Sequence, residues 1–143
     1  MARLPDPLDT LSPEAKQVYD KITAKRGAVR GPFASLMHHP ALAERVGDLG
    51  EYLRFGGTLP GDIRELARGD LAALPARYAR PARVVQHVLA YESIPADLQA
   101  AVQGELGITG LMELVTLAGQ YRMIAGVLFA FDTPIPEGER APF

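Results

Sequence analysis

Residues 110–131 read GLMELVTLAGQYRMIAGVLFAF, and this stretch decides the fold class. Leu111, Leu114, Val115, Leu117, Ala118, Tyr121, Ile124, Ala125, Leu128 and Phe129 recur at helical spacing and cover more than half the circumference of one helix. A helix apolar over so wide an arc is either central in a bundle or shared with another subunit. Gly119 and Gly126, with Ala118, Ala125 and Ala130, would admit a second backbone at close range, which favours a subunit interface over the plainer central position. Glu113, Gln120 and Arg122 interrupt the run. A membrane span needs about 20 predominantly apolar residues with few or no charges, so a buried helix is expected and no membrane partner.

Toward the N-terminus the same periodicity continues in shorter pieces. Leu98, Val102 and Leu106 predict a helix from Pro95 to Gly107, and Val84, Val85, Val88 and Leu89 predict one from Pro81. Gly104, Gly107 and Gly110 read together as two helix ends and a turn. The stretch from Asp70 to Arg80 is weakly patterned and punctuated by Pro75 and Pro81. A short helix opens at Leu59-Pro60, carries Ile63, Leu66 and Ala67, and is cut off by Gly69. Another starts near Pro40, with Leu42, Val46, Leu49 and Leu53 as its expected buried stripe and Gly56-Gly57 as its stop. The apolar run Phe33 to Met37 precedes it. The first helix is signalled by Ser12-Pro13-Glu14, where a hydroxyl caps free amides, proline suits the first turn and an acid favours the positive end of the dipole. Its apolar face is Ala15, Val18, Tyr19 and Ile22, and Lys25-Arg26-Gly27 ends it.

No useful strand alternation and no internal repeat is present in the sequence. The expected architecture is therefore all-α: an irregular bundle of about six helices, in a single domain over residues 1–143. Residues 1–11 form an N-terminal arm, and the proline-rich tail DTPIPEGERAPF (132–143) is expected to lie extended across a neighbouring surface.

Composition narrows the function classes. A 48% hydrophobic fraction in 143 residues supports a real core, and 15 basic against 17 acidic residues leave no electropositive footprint for nucleic acid. With no cysteine there is no disulfide, thiolate metal site or redox pair. The opening MARLPDPLDT has prolines and aspartates where a secretory signal needs a continuous apolar stretch, so a cytoplasmic location is expected. No G-x-S-x-G elbow, phosphate-binding glycine loop or H-E-x-x-H occurs.

Three stretches carry a resemblance: GPFASLMHHPALAERVGDLGEYLRFGGTLP (31–60), IRELA (63–67), and GLMELVTLAGQYRMIAGVLFAF followed by PIPEG (134–138). In this order they resemble the carboxymuconolactone decarboxylase and alkylhydroperoxidase D-like family. The resemblance implies an alkylhydroperoxidase D-like all-α fold, homo-oligomers built from helical pairs, a pocket near the subunit interface, and chemistry without metal or organic cofactor in the decarboxylase branch. It breaks in the middle. Family members continue from the RELA-like segment through a longer helix bearing Cys-x-x-Cys and a His, or a Trp-x-x-His type element; here it runs directly into RGDLAALP (68–75), and the chain has no tryptophan.

Glu65 matches the family's relay glutamate, which passes a proton between substrate or solvent and those missing partners. A carboxylate does such work only where its surroundings raise its proton affinity toward operating pH; otherwise Glu65 is a solvated acid beside Arg64. His38 and His39 precede Pro40, so one of them is a helix cap or reaches a pocket as acid, base or substrate contact. Adjacent side chains diverge, which disfavours a metal site from this pair. His87 beside the valine stripe is read as an edge histidine. Arg54 and Arg122 suit a substrate carboxylate, because a guanidinium meets two oxygens at once. Arg122, expected within an apolar helix, calls for a partner: Glu113, an acid of another subunit, or a ligand. Tyr52 and Tyr121 can donate phenolic hydrogen bonds to a substrate or serve packing.

Two functions follow. One is cofactor-free proton transfer and decarboxylation of a small carboxylated or lactone substrate, with Glu65 and His38 or His39 handling protons and Arg54 or Arg122 holding the carboxylate. The other is a non-catalytic oligomeric or ligand-binding remnant in which the bundle survives without the active-site helices. Thiol peroxidase activity is excluded by the missing cysteines.

Overall fold

The computed structural model describes residues 5–66 and 75–133, and every regular element among them is helical. In chain order these are a 3-10 turn (Pro7–Thr10), α1 (Pro13–Arg26), α2 (Pro32–Leu36), α3 (Pro40–Glu51), a π-helical turn (Tyr52–Gly56), α4 (Gly61–Leu66), a second 3-10 turn (Ala76–Tyr78), α5 (Ala79–Ala90) and α6 (Ala96–Ala130). The expected all-α class and six helices are observed, with a change in how they are counted. The apolar run after Gly31 is itself helical, as α2, and the last two predicted helices follow one another within α6, separated by a break at Gly107. None of the described helices is long and apolar enough to cross a membrane.

The described residues divide into two compact units, 5–51 with 123–133, and 52–66 with 75–122. Nothing in the sequence pattern marks that division.

In the first unit α1 begins as expected: the Ser12 hydroxyl accepts the Ala15 N–H at 3.2 Å, with Pro13 following. It ends at Gly27, whose φ of 79° is the left-handed conformation that glycine adopts without a Cβ penalty. Its buried residues, Ala15 and Ile22, meet Phe33, Leu36 and Met37 and the small face of α3 in one core. Leu8 and Leu11 of the N-terminal arm pack against the same core. The α3 stripe needs correction. Leu42 and Leu49 are 44% and 41% exposed, while Ala43, Val46, Gly47 and Gly50 are buried. A Cβ on Gly47 would lie 3.6 Å from Ile22 and 3.7 Å from Phe33, so side-chain size rather than apolarity selected the face that meets its neighbours.

The second unit has its own core, running from Leu53 and Leu59 through Ile63, Leu66 and Tyr78 to Val84 and Val85 of α5 and Leu111, Leu114 and Leu117 of α6. Leu53, Val84 and Val85 are buried as their spacing predicted. α5 starts two residues before Pro81, which sits in its first turn, where a missing N–H is harmless. Of the three glycines read as ends and a turn, only Gly107 leaves the helix, at φ 72° and ψ 169°. Gly104 and Gly110 are helical; a Cβ on Gly110 would meet Leu106 Cβ at 2.9 Å, so this glycine lets the chain fold closely past the break.

Candidate functional site

The best-formed polar arrangement among the described residues centres on Glu113, in the second unit. Glu113 and Gln120 lie seven residues apart among the buried leucines of α6, so both are carried inward on one face. A buried carboxylate needs donors, and the segment after the π-helical turn supplies them. Oε2 accepts the Thr58 N–H at 2.7 Å, the Thr58 hydroxyl at 3.0 Å and the Leu59 N–H at 3.0 Å; Oε1 accepts the Tyr52 hydroxyl at 3.1 Å. Gly57 completes the cradle, since a Cβ there would lie 2.9 Å from Oε2 and 3.1 Å from Oε1.

Burial alone pushes the Glu113 carboxyl upward, but the hydrogen bonds from Thr58, Tyr52 and Leu59 outweigh it and hold the group below the ordinary glutamate value. The bond to Glu113, with its charge, raises the Tyr52 phenol above its ordinary value. Such a pair is poorly suited to exchanging protons near neutrality, and its evident work is to fasten residues 52–59 to α6.

A second polar chain lies in the same unit. The Arg77 guanidinium donates to the Tyr78 hydroxyl, which donates to Asp62 Oδ2 at 2.5 Å. Asp62 is held below the ordinary aspartate value, first by the Tyr78 hydrogen bond and more weakly by the charge of Arg77. Tyr78 is only 8% exposed and shares the core with Ile63, Leu66 and Val85. α4 is thus tied directly to the turn that opens α5, across the connection 67–74, which lies outside the described residues.

The residues singled out from sequence fall in both units. His38 and His39 belong to the first, and Tyr52, Arg54, Glu65, Tyr121 and Arg122 to the second. His39 is a cap: its Nδ1 accepts the Leu42 N–H at 3.3 Å and its carbonyl accepts the Leu42 and Ala43 N–H groups. His38 is exposed, with Nε2 3.0 Å from the Pro5 carbonyl; a carbonyl only accepts, so this nitrogen donates. Glu65 lies on α4, and its side chain lies outside the described residues. Arg54 sits over the Phe55 ring at 5.5 Å, and Tyr121 is half-buried against the core. His87 has Nδ1 3.4 Å from Glu92 Oε2, a separation that makes an ion pair only when the ring is protonated.

Arg122 is exposed rather than enclosed, with its guanidinium 4.3 Å from the centre of the Tyr91 ring. Of the three partners considered for Arg122, Glu113 is ruled out by the helix itself. Nine residues amount to about 13 Å of rise and half a turn around the axis. Glu113 therefore faces the core while Arg122 faces solvent. Sequence reasoning also passed over Thr58, Gly57, Asp62 and Tyr78. The available signal was the acid on the leucine face of α6, which required donors from elsewhere; nothing in the pattern told which segment would supply them.

Among the described residues no three His, Asp or Glu side chains converge as a metal-ligand set. Comparison of the chain with family models, with curated proteins and with solved structures finds no match.

Proposed function

We propose that this chain is a shortened, non-catalytic member of the carboxymuconolactone decarboxylase and alkylhydroperoxidase D-like group. In this reading it keeps that group's helical frame and works by self-association in the cytoplasm. The observation that carries it is Tyr78. The motifs that resemble the family flank the position where its members carry their catalytic helices, and here a buried tyrosine hydrogen-bonded to Asp62 joins the two sides. Only eight residues separate Leu66 from Pro75, and Tyr78 links the two sides directly, so in this reading the proton relay has no scaffold. The placed groups agree with that reading: His39 is engaged as a cap, and Glu113 is held ionised by four donors.

Self-association is supported by α6, where Ile108 and Met112, one turn apart in the second unit, are 55% and 58% exposed. Large apolar side chains left in water on one helix favour a partner surface.

Two measurements test the proposal. Incubation with a panel of small lactone acids, following carbon dioxide release and lactone loss, is expected to show no turnover. Turnover that disappears in Glu65→Gln would overturn the non-catalytic reading in favour of the decarboxylase. Light scattering is expected to give a mass above that of one 15.4 kDa chain, reduced toward it in Met112→Lys. A strict monomer would remove the self-association half.

A further inference from the structure

We draw no further inference here: the strongest candidate, the exposed apolar pair Ile108 and Met112 on α6, already carries the proposed self-association, and nothing in the structure shows what else covers it.

Discussion

The two units differ in where their most heavily bonded carboxylates lie. In the first, opposite charges meet on the surface between α1 and α3: Lys21 lies 2.8 Å from Glu44 and 3.1 Å from Asp48, and Lys25 pairs with Glu51. The helices themselves approach through small residues, Ala43 and Gly47 against Ile22 and Phe33. In the second, the carboxylate of Glu113 is buried within the apolar face of α6 and organises the segment 57–59 around itself. Exposed ion pairs are screened and gain little, whereas a buried carboxylate leaves several unsatisfied donors when it is removed. The first unit should therefore tolerate loss of these charges, and the second should not tolerate loss of Glu113.

The largest effect is expected from Glu113→Ala, which leaves the Thr58 and Leu59 N–H groups without their acceptor. Hydrogen bonds to a charged group are worth about 1.5–3 kcal/mol, so a loss of about 3 kcal/mol in denaturant unfolding is expected. Acid sharpens the same test. Because the folded Glu113 carboxyl sits below its ordinary value, its contribution is fully present above the unfolded value and is lost as pH falls through the folded one. Glu113→Gln should flatten the acid limb of the stability profile; an unchanged limb would show that this carboxylate is not what acid attacks.

Next in size is a pair of identical substitutions with opposite outcomes. Gly57→Ala forces a methyl to within 3.1 Å of both Glu113 oxygens and is expected to destabilise by about 1–3 kcal/mol. Gly47→Ala meets its neighbours at ordinary contact distances of 3.6 Å and more, inside a helix where alanine is favoured. It should be neutral or stabilising by about 0.5–1 kcal/mol. Equal losses at both positions, read from thermal melts, would erase the contrast between the units.

Tyr78→Phe keeps the buried ring and removes only the hydroxyl between Arg77 and Asp62. A drop in Tm of about 3 °C is expected, because the hydroxyl's two partly exposed hydrogen bonds are lost while the packing survives. Hydrogen exchange should rise locally in α4 and the start of α5. Smallest of all, Lys21→Met should leave Tm nearly unchanged, and whatever difference exists should vanish in about 1 M salt. A large salt-independent loss there would mean that the surface network of the first unit matters more than its small-residue packing.

Much of this architecture was legible from residue spacing. Ser12 and Gly27 bound α1, Val84 and Val85 mark the inner face of α5, and Gly107 marks the break in α6, each because a local rule acts on a few consecutive residues. The buried face of α3 was not legible. Leu42 and Leu49 satisfy the periodicity as well as Ala43 and Gly47 do, and only the bulk of Ile22 and Phe33 on the opposing helices decides between the two faces. The candidate site was legible in part. Tyr52 was singled out as a hydrogen-bond donor and does donate, but its acceptor is Glu113 of its own chain. The apolar neighbours of Arg122 suggest an enclosed side chain, yet its own position on the helix faces water.

What the sequence determined alone is the helical class, most element boundaries and the presence of an acid on an otherwise apolar face, since each depends on interactions within a turn or two. Tertiary structure decided which face of α3 is inner, which donors surround Glu113, and that Tyr78 closes the gap between α4 and α5. Glu113 is 55 residues from Thr58, and Tyr78 is 16 from Asp62. Hydrogen bonds over such separations depend on where the packed backbone brings distant segments, and a local pattern carries no record of that.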